Sequence, residues 1–294
     1  MTLTIGRIPY INCYPVYGAI DRGLIRLDAA LVDGVPTALN ALMAAGTLDV
    51  SVVSAVEYAR DSRRYLLLPD LAISCDGPVR SVMLFSKRTA TELSGRRVLV
   101  SRSSMTSVAL LELLFESVWH AHPVFVPTDA EISDVARFGA EDHEARLVIG
   151  DAALLLESTS RGTGGSDRAG KTQRGEESPD YAFSYDLGDE WKRWTGLPFV
   201  FAVWVAQRNV AVGAALAAHA GLIASRDWGI GNVATLARQA AAATGVAIEA
   251  CEQYLEGLDY GLSYPHLAGL TEFYRRLVER GRVPNGTLTF LPAA

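Results

Sequence analysis

The sequence predicts an α/β protein built from two lobes, each with its own sheet. The chain has 294 residues, more than one hydrophobic core usually organises, so two domains are expected. Hydrophobic residues make up 49% of the chain, which is enough to fill two cores. Short runs of β-branched residues or leucine alternate with helical stretches, and this alternation is typical of β-α-β units.

Two blocks of alternating elements follow each other along the chain. In the N-terminal block, four apolar runs predict strands, with helical stretches such as PTALNALMAAG between them: LTIGRI, AALVDG, LDVSVVS and YLLLP. A second block, from about residue 95 to 155, repeats the pattern with RRVLVS, the helix MTSVALLELLFESVW, PVFVP and ARLVIG. Each block therefore predicts the sheet of one lobe.

Two longer apolar strands, at 81–87 and 199–207, bracket the second block. They are predicted to be paired hinge strands that connect the lobes. Lobe 1 would then comprise residues 1–86 and 207–294, and lobe 2 residues 87–206. The alternative is that both strands belong to the core of one large sheet.

Residues 157–180 have the composition of a surface insertion. Ala169 is their only apolar side chain, and the rest is rich in glycine, serine and mixed charge. Such a segment cannot offset its ordering entropy by burial. We expect a flexible insertion in lobe 2, with a functional lid as the alternative.

Charge and composition exclude several classes of partner. A net charge of −6 and a pI near 5.4 favour neither nucleic acid nor an anionic membrane surface. The most apolar runs are about half the roughly 20 residues that a membrane-spanning helix needs. The N-terminus has no export signal pattern. The three cysteines are too far apart for a disulfide framework, so a cytoplasmic location is expected.

Small polar residues gather where predicted strands end and helices begin. Free backbone amides and the positive end of the helix dipole make such turns suitable for binding carboxylates. Ordinary helix capping is the alternative at each turn. The candidate substrate-binding residues are Ser54 and Ala55 at the first turn, Ser104, Thr106 and Ser107 at the second, and Gly150 and Asp151 at the third.

The common catalytic motifs are missing from the sequence. It contains no GxSxG, HExxH, Walker loop or GxGxxG after a strand. The histidines lie away from the strand-to-helix turns, and no third ligand accompanies His120 and His122, so no metal site is predicted. Asn12 is unusual, because it stands among apolar residues where a strand runs into a helix.

Five segments in colinear order resemble the chorismate dehydratases of the futalosine route to menaquinone. Together they extend from residue 7 to about 205: IPYINCYP, DVSVVSAVEY, LAISCDGPVRSVMLFSK, IGDAAL and YDLGDEWKRWTGLPFVFAVW. The resemblance implies a fold like that of type 2 periplasmic binding proteins, with a ligand cleft between two lobes and two hinge strands.

The resemblance also implies the chemistry. Chorismate would lose water to give 3-[(1-carboxyvinyl)oxy]benzoate, with no cofactor. By similarity, Asn12 and Ser81 are the catalytic residues, and Thr106 and Ser107 line the site. Neither Asn12 nor Ser81 is a base at neutral pH, so the enolpyruvyl carboxylate of the substrate is expected to take the ring proton.

Three other functions remain open at the level of the sequence. One is the sister enzyme of the same pathway that releases dihydroxynaphthoate from a larger substrate. Another is a non-catalytic cytoplasmic solute-binding protein with the same fold. The third is the ligand-sensing domain of a transcription regulator, but no helix-turn-helix module is recognisable in the sequence.

Overall fold

The computed structural model describes residues 2–128, 142–162 and 181–292, with only the backbone at 158–162. In these ranges the strands form two separate five-stranded sheets with helices packed around them. The protein is therefore α/β, as predicted, and the alternative of one large sheet is wrong.

The first sheet has the order β2-β1-β3-β10-β4. Strand β1 pairs in parallel with β2 and β3, whereas β10 runs antiparallel between β3 and β4. Strands β3 and β10 are buried along their whole length, which explains the apolar run of β10 and the valines of β3. The strands are β1 Leu3–Arg7, β2 Ala29–Asp33, β3 Val50–Ser54, β4 Tyr65–Cys75 and β10 Phe199–Gln207.

The second sheet has the order β7-β6-β8-β5-β9. Strands β7, β6 and β8 are parallel, and β5 pairs in antiparallel with both β8 and β9. The strands are β5 Val82–Ser86, β6 Arg97–Ser101, β7 Val124–Thr128, β8 Ala145–Ile149 and β9 Phe183–Asp186.

Helices follow the strands in both halves of the molecule. Those beside the first sheet are α1 Tyr14–Asp21, α2 Pro36–Ala45 and α3 Ala55–Arg60. Those beside the second are α4 Met105–Leu114, α5 Asp151–Gly162 and α6 Leu187–Thr195, and α4 continues into a π-helical turn, Phe115–Trp119. The described C-terminal helices are α7 Val212–Ile230, α8 Val233–Thr244, α9 Ile248–Gly257 and α10 Tyr264–Glu279.

The C-terminal helices complete the half that contains the first sheet. Helix α7 packs closely along α1, and a Cβ atom on Gly229 would lie 2.2 Å from the carbonyl oxygen of Pro15. Only glycine permits this approach of two backbones. Helix α7 of the C-terminal segment therefore packs against α1 beside the first sheet.

The chain crosses from one sheet to the other twice. Neither crossing lies at the boundary predicted from the sequence. Strand β5 lies between β8 and β9 of the second sheet, and β10 lies between β3 and β4 of the first. The predicted boundaries at 86 and 207 thus fall one strand too late, because the crossings precede the two apolar strands. We propose lobes divided at residues 76–81 and 195–198 instead.

The first residues of the predicted insertion, 157–180, belong to α5. Helix α5 extends to Gly162, so residues 157–162 continue the helix. Residues 163–180 lie outside the described part of the chain. Among the described residues, no helix is both long and apolar enough to cross a membrane.

Candidate functional site

The two halves of the molecule meet at the starts of their helices. The Ile11 amide donates to Asp151 Oδ1 at 3.3 Å, and the Val56 amide donates to Thr106 Oγ1 at 3.1 Å. In both contacts a backbone amide of the first-sheet half meets a side-chain oxygen of the second-sheet half. We call this contact surface, formed by residues 10–12 and 54–58 on one side and 104–107 and 150–151 on the other, the junction.

Asn12 lies in a 3₁₀ turn, Ile11–Cys13, between β1 and α1. Ile11 and Cys13 are buried in the core, and Pro15 in the first turn of α1 fixes the start of that helix. Asn12 Oδ1 is buried, and within the described ranges it has no hydrogen-bond partner. A buried acceptor without a donor costs about 1–3 kcal/mol, so this oxygen is suited to receive a ligand's donor.

Ser81 is held in place by groups from several parts of the chain. Its side chain is 3% exposed, and its Oγ accepts a hydrogen bond from the Tyr254 hydroxyl at 2.8 Å. Its carbonyl oxygen accepts from the Gly150 amide at 2.8 Å. Ser81 is therefore bonded to Gly150, the neighbour of Asp151. Asp151 in turn is bonded to Ile11, the neighbour of Asn12.

The loop that carries Ser81 depends on Asp186, which the sequence did not single out. Asp186 caps α6 by accepting from the amides of Gly188 and Asp189. The same carboxylate accepts from the amides of Val79 at 3.0 Å and Arg80 at 2.6 Å. Burial raises the pKa of Asp186, whereas these amides lower it. One buried carboxylate thus fixes both a helix start and the residues before Ser81.

Asp151 is the ionisable group of the junction. Burial raises its pKa to about 6, and the hydrogen bond from the Ile11 amide offsets part of that rise. Desolvation is the main cause of raised pKa values at Tyr14 and Cys251, and the charge of Asp151 adds to it. The carboxyl group therefore lies in surroundings that disfavour negative charge.

Two buried tyrosines border the same region and were missing from the sequence prediction. Tyr254, in α9, donates to Ser81, and the hydroxyl of Tyr260 is buried with no hydrogen-bond partner among the described groups. Burial raises the pKa of both phenols far above neutrality, so both are neutral. No local pattern marks them, because they lie more than 170 residues from Ser81 along the sequence.

The first predicted carboxylate site is occupied by capping interactions. Ser54 Oγ accepts from the Glu57 amide at 3.3 Å and from Asn40 Nδ2 at 3.0 Å. The carbonyl oxygen of Ala55 accepts from the Tyr274 hydroxyl at 2.7 Å. Ser54 is the helix cap that the sequence predicted, and α3 has only six residues. Its role toward a ligand stays a prediction.

The second predicted site faces the first across the junction. Ser104 caps α4 by accepting from the Ser107 amide at 3.3 Å. Thr106 and Ser107 are 2% and 4% exposed, and Met105 Sδ lies 3.2 Å from Asn40 Nδ2 of the first-sheet half. The start of α4 therefore contacts α2 through Asn40, and the hydrogen bond from Val56 to Thr106 joins it to the start of α3.

The structure brings the predicted residues together in two groups. Asn12, Ser81, Gly150 and Asp151 are linked through their neighbours at one end of the junction. The remaining candidates, Ser54, Ala55, Ser104, Thr106 and Ser107, form the other group, which the Val56 to Thr106 hydrogen bond joins. In the described ranges no cluster of histidine, cysteine, aspartate or glutamate suits a metal ion.

A separate cavity of about 420 Å³ lies beside α3 and α10, lined in part by Tyr58, Tyr274 and Arg275. None of the predicted site residues lines it. The cavity borders the junction at Tyr58.

Solved structures of known proteins share this fold. A protein from Archaeoglobus fulgidus superposes with a TM-score of 0.74 at 18% identity, over 96% of this chain and 98% of the other. The alkanesulfonate-binding protein of Xanthomonas axonopodis gives 0.65 at 13% identity, over 98% and 96%. A Candida albicans protein described as having the generic periplasmic binding protein fold gives 0.58 at 11% identity, over 98% and 92%. The predicted fold is confirmed: it is that of periplasmic binding proteins.

Similarity in sequence identifies the family of the chain. A chorismate dehydratase from Thermus thermophilus is 30% identical over 278 residues, which are 92% of this chain and 95% of the relative. The family model described as menaquinone biosynthesis matches residues 3–279. That range includes every residue of the junction. The chain therefore belongs to the menaquinone biosynthesis family.

Proposed function

We propose that this protein is a chorismate dehydratase, a hydro-lyase that converts chorismate to 3-[(1-carboxyvinyl)oxy]benzoate and water. The observation that carries the proposal is a pair of hydrogen bonds, Ile11 with Asp151 and Gly150 with Ser81, that links the neighbourhoods of Asn12 and Ser81. Asn12 Oδ1 is buried and, in the described chain, unpartnered. Membership of the menaquinone biosynthesis family and the Thermus relative support it.

The two groups of residues suit a ligand with two carboxylates. The starts of α3, α4 and α5 supply amides and hydroxyls at the junction, and such donors bind carboxylates without a cationic side chain. This matters in a protein of net charge −6, whose overall field would repel a dianion. We propose that one carboxylate of chorismate binds near Asn12 and Ser81 and the other near Ser54, Ala55, Ser104, Thr106 and Ser107.

In the proposed reaction the protein acts chiefly by positioning. Asn12 can accept a hydrogen bond from the substrate hydroxyl and donate one to a carboxylate. Ser81, fixed by Tyr254 and Gly150, would orient the enolpyruvyl group so that its carboxylate takes the ring proton. Formation of the aromatic ring provides the driving force, and alignment of the reacting groups lowers the barrier.

We propose a cytoplasmic location for the same reaction. Cys13, Cys75 and Cys251 are all free and buried. Burial raises the pKa of each thiol, which keeps the thiols in their unreactive form. Unpaired cysteines of this kind are typical of a reducing compartment.

Incubation with chorismate tests the proposed function. Purified protein should consume chorismate and release a product lighter by one water, which mass spectrometry identifies. The sister enzyme that releases dihydroxynaphthoate would instead act on its larger cyclised substrate. A solute-binding protein would bind chorismate and return it unchanged, and this result would refute the proposal.

A further inference from the structure

We propose that Asp151 is the proton donor to the hydroxyl group that leaves chorismate, an inference that rests on the proposed function. Asn12, Ser81 and the substrate's own carboxylate account for orientation and for removal of the ring proton. They leave the departing hydroxyl without an acid. Hydroxide is a poor leaving group, and a positioned acid typically contributes about 10²- to 10⁴-fold to such a step.

Hydrogen bonds of Asp151 and Gly150 link the turn that carries Asp151 to the chain neighbour of Asn12 and to Ser81. Asp151 Oδ1 accepts from the Ile11 amide at 3.3 Å, and Asn12 is the next residue. Gly150, which precedes Asp151, donates to the carbonyl oxygen of Ser81 at 2.8 Å. Gly150 has φ +66°, a conformation that favours glycine, so the turn that carries Asp151 has a defined geometry.

The surroundings of Asp151 favour its protonated form. Cys13 and Tyr14 face it from the start of α1, and Cys251 and Tyr254 face it from α9. None of these groups is a cation. With the carboxyl pKa already near 6, two substrate carboxylates nearby would raise it further, since like charges disfavour ionisation.

The neighbouring groups are weaker acids. Burial raises the pKa values of Tyr254 and Tyr260 far above neutrality, and Cys13 is shifted in the same direction by burial and by the charge of Asp151. Asn12 and Ser81 do not release protons near neutral pH. Asp151 is the group at this end of the junction whose pKa suits an acid.

The proposed reaction conserves atoms and charge. The proton on the Asp151 carboxyl passes to the hydroxyl oxygen as the carbon–oxygen bond breaks, and water leaves. The ring C–H proton passes to the enolpyruvyl carboxylate, and its electron pair completes the aromatic ring. That proton then returns to Asp151 through solvent, so the net change is the loss of one water.

Kinetics of the Asp151→Asn variant test the proton transfer. The amide preserves size and hydrogen-bonding but supplies no acid, so kcat for chorismate should fall at least 100-fold while the Kd of the product changes less than threefold. In the wild type, kcat/KM should decrease as pH rises above about 6, because the protonated form is required. The variant should lack that decrease. Asp189→Asn is the matched control, since Asp189 also lies in the first turn of a helix.

Calorimetry supplies a readout that does not depend on turnover. Product binding at pH 7, measured in buffers of different ionisation enthalpy, should take up close to one proton in the wild type and in Asp189→Asn. The Asp151→Asn variant should take up none. If the Asp151→Asn variant takes up the same number of protons as the wild type, or keeps more than a third of its kcat, Asp151 is not the donor. A wild type that leaves chorismate unchanged contradicts the proposed function itself, so the two failures are distinguishable.

Discussion

At the scale of single residues, the carbonyl oxygen of the Asn12 side chain is one of the buried polar atoms without a hydrogen-bond partner in the described ranges. It is buried, and the described part of the protein offers it no donor. An asparagine that served only the local turn would use this oxygen within the turn. The structure therefore gives a physical reason for the amide that looked out of place in the sequence.

Asn12→Asp should reduce turnover of chorismate at least 100-fold while the fold stays intact. The carboxylate is almost the same size as the amide, but it repels a substrate dianion and cannot donate. Chorismate consumption and the thermal midpoint measure the two effects. Asn285→Asp, at an exposed position, is the control. Near-normal rates would remove Asn12 from the site.

Ser81→Ala should lower kcat more than it weakens binding of the product. Loss of the hydroxyl removes both a contact to the reacting groups and the acceptor for Tyr254. Tyr254→Phe removes only that second interaction and should retain more activity than Ser81→Ala. Steady-state kinetics and product titrations on both variants separate the two roles. Equal losses in the two variants would mean that Ser81 acts only as a partner for Tyr254.

Asp151→Asn should also stabilise the protein above pH 6. The carboxyl pKa is about 6 in the folded protein against a usual 3.8, so its contribution to stability is complete below 3.8 and lost as pH rises through 6. The shift corresponds to about 3 kcal/mol. Denaturant unfolding should therefore show wild type and variant equal near pH 3.5 and the variant more stable at pH 8. A constant difference would contradict the raised pKa.

Some of the site could be predicted from sequence and some could not. Ser54 and Ser104 were predictable because a cap bonds to an amide three residues away. Tyr254 reaches Ser81 across 173 residues, and no local pattern encodes such a contact. The Thr106 and Asp151 hydrogen bonds to the other half are likewise products of the tertiary fold.

At the scale of elements, Asp186 connects the start of α6 with the loop before β5. Arg80, at the end of that loop, has φ +61°, which is uncommon for a residue other than glycine. The hydrogen bond from its amide to Asp186 holds this conformation. The position of Ser81 and the stability of α6 thus both depend on the side chain of Asp186.

Asp186→Ala should lower both stability and turnover. Loss of a helix cap costs about 0.5–2 kcal/mol, and the amides of Val79 and Arg80 lose their acceptor as well. We expect kcat to fall more than tenfold with a smaller change in KM, because the reacting groups lose alignment. Thermal unfolding and steady-state kinetics measure both effects. Unchanged kcat in a destabilised variant would restrict Asp186 to a structural role.

The sequence pattern of a strand predicts its burial but not the sheet that it joins. Strands β5 and β10 are buried throughout and apolar except at Ser86 and Gln207, so their sequences predict burial correctly. Such a run does not reveal which sheet a strand joins, because hydrogen bonding to β8 and β9, or to β3 and β4, is a property of the assembled chain. The crossings were therefore placed one strand too late.

At the scale of the whole molecule, two connections between the halves are compatible with hinge motion. Residues 76–81 and 195–198 lie between the sheets, and motion of this kind is absorbed by a few residues at the ends of elements. The described contacts between the halves include the hydrogen bonds to Thr106 and Asp151 and the salt bridges of Arg280 and Arg282 with Glu112 and Glu116. Polar contacts of this kind can be exchanged for water when the halves move apart. We expect the halves to separate in solution and to close on a ligand.

Small-angle scattering with and without the reaction product should show a smaller radius of gyration for the complex. The expected change is compaction without loss of secondary structure, which circular dichroism can verify. Identical scattering curves at saturating product would contradict closure. The Asn12→Asp variant at the same product concentration provides a comparison in which binding is weakened.

The two hydrogen bonds across the junction have a further consequence for the lifetime of a bound ligand. When the halves are in contact, the amides of Ile11 and Val56 donate to Asp151 and Thr106. A substrate carboxylate must therefore displace an existing acceptor, and binding becomes an exchange of partners in which part of the interaction energy cancels. When the product leaves, the same side chains can replace it at once, so the amides are never left without acceptors. Short residence of the product, and turnover that is not limited by its departure, follow from this arrangement.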